Sequence, residues 1–198
     1  LTSEEEPINP YRVVWDLMHT VDLDNTIITH ESGSAREYLS PFWEAHGPRS
    51  FIGWGKSTQL GYSLGLAMGA KLAAPEKLCI NVMGDLAFST VGLDVETAVR
   101  CGIATMTVVN NNSFMSIYDG RPFPPALEDY RFQELTGRFS EVAQAMGAYS
   151  EKITEPQDIV PAIKRGLQAN DSALRTPRLR CPRGDPQRAS ASFFDRCL

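Results

Sequence analysis

Two short stretches of this chain combine residue types that can hold a cation against an anion. Gly84-Asp85-Leu86 offers a carboxylate beside a glycine, and Asn111-Asn112 offers two carboxamides. Hard oxygen donors of this kind suit Mg²⁺, which is usually held by one or two carboxylates together with substrate phosphates and water. Gly84 lets backbone approach a ligand closely, and the first turn of a following helix presents N–H groups to an anion. Together the two stretches read as a divalent cation bridging a diphosphate. Each also has a plainer reading alone: Asp85 can cap the next helix, and the asparagines can simply close a strand. Their joint placement favours the cation site.

That placement depends on the elements around them. Residues 77–83 form a near-continuous apolar run, the pattern of a strand buried on both faces, which ends at Gly84-Asp85. A helix is predicted around 93–101, then a β-branched strand over 104–109 that Asn110, Asn111 and Asn112 close. With one helix between them, the two strands become parallel neighbours and bring Asp85 and the asparagines to the same sheet edge. Upstream, Asn9-Pro10 starts a helix running to about residue 20, with Val13, Val14 and Leu17 on one face. A short strand is expected at 26–29, and helices at 34–45 and 58–73. Downstream, 113–130 reads as irregular, 139–146 and 158–168 as helices, and 148–153 as a strand. Strands alternating with helices predict an α/β three-layer sandwich with a central parallel sheet flanked by helices. In such sheets ligands sit outside the carboxyl ends of the strands, where His30-Glu31-Ser32-Gly33-Ser34, Gly84-Asp85 and Asn111-Asn112 all fall.

These motifs carry a resemblance. Gly84-Asp85-Leu86, the 24 residues 87–110, and then Asn111-Asn112 resemble the thiamine diphosphate signature of G-D-G, about two dozen residues, and N-N. The segment from Leu93 to Ile103, with Glu96, Arg100 and Gly102, resembles the E-L-x-T-A-V-R-x-G-I stretch of that motif. Gln59-Leu60-Gly61-Tyr62, followed by Gly65, Ala67, Gly69 and Ala70, is similar to the G-L-G-x-x-L-P-A-A-I-G-A segment of acetolactate synthase and benzoylformate decarboxylase. The resemblance covers residues 7–168 and corresponds to the C-terminal, thiamine-diphosphate-binding domain of that superfamily, closest to its acetolactate-synthase-like members.

The resemblance implies a fold, two cofactors and a site. Asp85 and the Asn112 amide oxygen are expected to ligate Mg²⁺, with the backbone carbonyl of Phe114 completing the protein ligands. Asn110 lies ahead of the Asn pair, and Asn112 is chosen over its neighbour by its spacing from Asp85. Gly84, Leu86 and Ala87 are expected to face the diphosphate, with Gly33 and Ser34 on its other side. Leu60 matches the wedge that bends the cofactor between its two rings. Thr58 matches the residue whose carbonyl accepts from the cofactor amino group, and Met115 is expected to line the thiazolium side. Leu86 stands where the pattern has Gly or Ala, which crowds the loop near the phosphates. The implied reaction is decarboxylation of a 2-oxo acid, with or without carboligation, residues 115–130 contributing to substrate choice. The activating Glu of the superfamily lies in a separate N-terminal, pyrimidine-binding domain, which is missing here, so the chain is expected to be a fragment, inactive alone, of a homo-oligomeric enzyme. His30 and Glu31 match no motif position and are expected either on the substrate side or behind the residues that touch the ligand; His19 and His46 are expected as surface or packing residues.

Composition bounds the alternatives. The 198 residues are 42% hydrophobic and 22% charged, enough for one buried core, and the net charge of −5 argues against a nucleic-acid-binding domain. No secretory n-region opens the chain and no apolar run is long enough for a membrane span, so a cytoplasmic protein is expected. Cys79, Cys101, Cys181 and Cys197 show no CxxC spacing; the first two sit in apolar runs and are expected as buried thiols. Residues 1–8 read as a frayed terminus, 9–172 as the binding domain, and 173–198 as an Arg- and Pro-rich tail that is disordered or a sequence artefact. The family normally has a final strand after the last helix, and the tail leaves that strand in doubt. A catalytically silent cofactor-binding or assembly module, with apolar faces around Trp54 and Tyr62, is the main rival. A nucleotide-binding doubly wound domain is a weaker one, lacking both GxGxxG after the first strand and GxxxxGK[ST].

Overall fold

A parallel strand covered by helices on both sides leaves no side chain facing water, and the central strands of this chain follow that rule. The computed structural model describes residues 2–53, 59–115, 124–175 and 192–197. In chain order they form α1 (Pro10–Met18), β1 (Thr26–His30), α2 (Ser34–Leu39), β2 (Phe51–Ile52), α3 (Tyr62–Ala73), β3 (Leu78–Gly84), α4 (Asp85–Val91), α5 (Asp94–Cys101) and β4 (Met106–Asn111). There follow α6 (Pro124–Tyr130), α7 (Phe139–Ala145), β5 (Tyr149–Ile153), α8 (Ile159–Arg175) and β6 (Ser192–Cys197). Every residue of β1 and β4 is buried, as are the five central residues of β3. The six strands make one parallel sheet in the order β2-β1-β3-β4-β6-β5.

Alternate side chains feed two cores. Ile28, Ile80, Val82, Met106 and Val108 meet Val14 and Leu17 of α1, Leu39 of α2 and Ile163 of α8. Met83 and Val109 point to the other face, against Leu64 of α3, Phe88 of α4, Val95 and Val99 of α5, and Phe139 of α7. This is the expected α/β three-layer sandwich. The helix after β1 covers one face and the helices after β3 cover the other, although β1 and β3 are neighbours. The chain therefore diverges at their carboxyl ends and opens a crevice there, the topological switch point at which doubly wound sheets bind ligands. Among the described residues no helix is long and apolar enough to cross a membrane.

Several boundaries differ from the sequence expectations. α2 stops at Leu39 instead of reaching residue 45: Ser40 still has helical geometry, but Pro41 has no N–H with which to continue the helical ladder. The helix expected over 58–73 begins at Tyr62 after Gly61, which has φ 88°. α4 forms ahead of the helix predicted around 93–101, starting at Asp85 itself, and α6 lies within the stretch expected to be irregular. Cys79 is buried as expected, but Cys101 is exposed, since α5 buries Val95, Ala98 and Val99 and its last residue turns away. The largest difference concerns residues 173–198. α8 continues to Arg175, and Ser192–Cys197 enters the sheet between β4 and β5. A strand inside a parallel sheet needs no polar–apolar alternation, so periodicity does not announce it.

Candidate functional site

The crevice at the switch point gathers backbone from three strand ends. β1 leads through Glu31 and Ser32 to Gly33, which caps α2 with φ 77°. β3 ends at Gly84, whose Cα registers with that of Asn110 on β4. A Cβ added to Gly33 or Gly84 would meet no atom within 4 Å, so at both positions the backbone faces open space. Ser34 is half-buried at the start of α2, and Leu86 is half-buried in the first turn of α4.

Asp85 is buried beside this opening. Its Oδ1 accepts the Leu86 N–H at 2.8 Å and its Oδ2 accepts the Asn112 N–H at 3.2 Å. Burial pushes the carboxyl pKa above its ordinary value, against the downward pull of the Leu86, Ser113, Asn112 and Phe114 N–H groups. A nearby cation would relieve that penalty. Asn112 Oδ1 accepts the Phe114 N–H at 3.1 Å, and Asn111 Oδ1 accepts the Ser113 N–H at 2.9 Å. These short links fold 111–114 into a turn with Ser113 at φ 57°, bringing the Asn112 amide and the Phe114 backbone over Asp85. Asn110, by contrast, belongs to the opposite face of β4 from Asn111, and its Oδ1 is buried with no hydrogen-bond partner among the described residues.

A clamp absent from the sequence reading holds this turn. The Met115 N–H donates to Gln133 O at 2.6 Å, the Leu135 N–H donates to Ser113 O at 2.9 Å, and Phe114 forms an antiparallel bridge with Glu134. No spacing motif marks residues 133–135. Met115 is half-buried within the clamp, whereas Leu60 is 36% exposed immediately before Gly61. Thr58 and Trp54 lie outside the described residues. The Ala87 side chain is 1% exposed in the core with Met83 and Phe88, so its backbone is what it offers to a ligand.

His30 and Glu31, expected on the substrate side or behind the residues that touch the ligand, are both buried. His30 Nδ1 lies 3.1 Å from Glu31 O, its ring packs against Phe51, and Gly53 leaves room for it, since a Cβ there would come within 2.0 Å of Nε2. Burial lowers its pKa and favours the neutral imidazole. His19 is exposed, as expected.

Among the described residues no three His, Cys, Asp or Glu side chains converge as metal ligands. One carboxylate with amide and carbonyl oxygens is a donor set for a hard cation that takes further oxygens from phosphates and water, and it fits Mg²⁺. The open backbone at Gly33 and Gly84 fits the diphosphate beside it.

Fold and edge site define a doubly wound α/β domain with an open crevice at the carboxyl ends of its parallel strands. Residues 31–174 match the family model of the thiamine pyrophosphate enzyme C-terminal TPP binding domain, and the chain belongs to that family. It is 29% identical to a probable acetolactate synthase of Mycobacterium bovis over 190 residues, 92% of this chain and 34% of that protein. It is 27% identical to sulfoacetaldehyde acetyltransferase of Castellaniella defragrans, covering 96% of this chain and 33% of that one. The thiamine diphosphate-dependent 4-hydroxybenzoylformate decarboxylase of Rhodococcus jostii RHA1 shares the fold, with a TM-score of 0.75 at 19% identity over 98% of this chain and 33% of that one. The chain thus spans about a third of the length of these relatives.

Proposed function

We propose that this chain is the thiamine diphosphate- and Mg²⁺-binding domain of an acetolactate-synthase-like enzyme that decarboxylates 2-oxo acids, with or without carboligation. The observation that carries the reading is the contact between Asp85 and the Asn112 turn across the ends of β3 and β4, at 3.2 Å. Asp85, Asn112 and the Phe114 carbonyl would hold the cation. Gly33, Ser34, Gly84, Leu86 and Ala87 would face the diphosphate, the last through its backbone. Leu60 would wedge between the two rings, with the Thr58 carbonyl on the amino group and Met115 on the thiazolium side. Bound thiamine diphosphate supplies an electron sink for cleavage of the bond to the carboxylate.

Turnover would require the activating Glu of an N-terminal pyrimidine-binding domain, within a homo-oligomer. In this reading the residues of this chain bind the cofactor and do not turn over substrate by themselves. Calorimetric titration of thiamine diphosphate, with and without Mg²⁺, tests the site. Metal-dependent binding is expected in the wild type and none in folded Asp85→Ala. No binding by a folded wild-type chain sinks the assignment. Adding a purified N-terminal domain and a 2-oxo acid then separates the enzyme, which turns over, from a silent module.

A further inference from the structure

The first residue past β1 is a fully buried carboxylate that the cofactor site leaves without a role. Glu31 is 0% exposed and forms no salt bridge among the described residues. A carboxylate stripped of water is costly unless other groups replace its hydration. Those available are few: the Ser63 hydroxyl donates to Oε2 at 2.8 Å, the Ser63 N–H reaches the same oxygen at 3.4 Å, and the Ser32 N–H reaches Oε1 at 3.4 Å. Two residues earlier on the same face of β1, the Thr29 hydroxyl donates to Ser63 O at 3.0 Å. The hydroxyl, N–H and carbonyl of Ser63 are therefore all held by Thr29 of β1 and by Glu31, the first residue past it.

Ser63 lies in the first turn of α3, so this grip fixes where that helix begins. Leu60 lies three residues ahead of it. Between them, Gly61 fits against α4 so closely that an added Cβ would come within 2.6 Å of Val91 Cγ1. In the other direction Glu31 leads within three residues to Gly33 and Ser34, and its own N–H donates to Val82 O on β3 at 2.9 Å. It thus stands between the two halves of the crevice.

Resting on the cofactor reading above, we propose that Glu31 is a positioning residue: through Ser63 it sets the separation between the diphosphate end of the site, at Gly33, Ser34 and Asp85, and the ring end, at Leu60. The test uses the full chain and two ligands with Mg²⁺, thiamine diphosphate and inorganic pyrophosphate, the second of which has no rings. Glu31→Ala is expected to weaken thiamine diphosphate binding by about tenfold or more, the scale of a lost buried hydrogen bond to a charged group, while pyrophosphate affinity stays unchanged. Ser63→Ala is expected to match it, and the double variant to be no worse than either, because both remove one link. Glu31→Gln keeps an acceptor for the Ser63 hydroxyl and should restore much of the binding.

Equal weakening of both ligands, or of neither, overturns the inference, as do losses in Glu31→Ala and Ser63→Ala that simply add. A wild-type chain that binds thiamine diphosphate no more tightly than pyrophosphate makes no ring contact; the inference then fails while the diphosphate site stands. Binding of neither ligand refutes the cofactor reading itself.

Discussion

Replacing Gly61 with alanine should destabilise the chain in two separable ways. Gly61 has φ 88° and ψ −1°, a left-handed conformation that costs an L-residue about 1–3 kcal/mol. The added Cβ would also stand 2.6 Å from Val91 Cγ1 and 3.0 Å from Thr90 Oγ1, an overpacking that typically costs about 1–3 kcal/mol. The sum, about 2–6 kcal/mol, corresponds to a fall in melting temperature of roughly 5–20 °C for a chain of this size. Gly65, one turn further along α3, provides the control. A Cβ there meets no atom within 4 Å, so Gly65→Ala should raise stability by about 0.5–1 kcal/mol through better helix propensity. Urea unfolding followed by circular dichroism, read at unchanged m-value, measures both. Adding Val91→Ala to Gly61→Ala should recover the steric part and leave the backbone part, a coupling of about 1–3 kcal/mol in a double-mutant cycle. Equal effects at 61 and 65, or a Gly61→Ala chain as stable as wild type, would refute the account of how α3 meets α4.

Other outcomes follow from burial. His30 has a folded pKa below its unfolded value, so the unfolded chain binds the extra proton; stability should fall as pH drops below about 6.5 and level off beneath the folded pKa. Urea midpoints between pH 5 and 8 should show that slope in the wild type and less of it in His30→Asn; identical slopes would contradict the assignment. Burial pushes the Cys79 thiol up to about 11, so at pH 7.5 iodoacetamide should modify exposed Cys101 and spare Cys79 until the chain unfolds, as mapped by mass spectrometry. Ile80 is 0% exposed between β1 and β4, and Ile80→Ala should cost about 2–5 kcal/mol in the same urea assay.

Much of the chemistry was legible in the linear chain. The apolar run ending at Gly84-Asp85 and the β-branched run closed by three asparagines fit two buried parallel strands, and their order alone brings Asp85 to the Asn112 turn. The alternation of strands and helices was enough for the three-layer fold, because each element's buried face is written into its own residues. Tertiary structure decided whatever depends on a partner far along the chain. α4 is a helix whose Ala87 and Phe88 gain a core only once α3 and α7 cover them, so the Ala87 side chain turns inward and leaves its backbone for the site. The clamp of 133–135 on 113–115 and the grip of Glu31 on Ser63 join segments that no local period connects. Ser192–Cys197 acquires strand geometry from the ladders of β4 and β5 on either side, not from a pattern of its own. The crevice itself follows from the order of strands in the sheet, since β1 and β3 send their chains to opposite faces, and strand order is a property of packing.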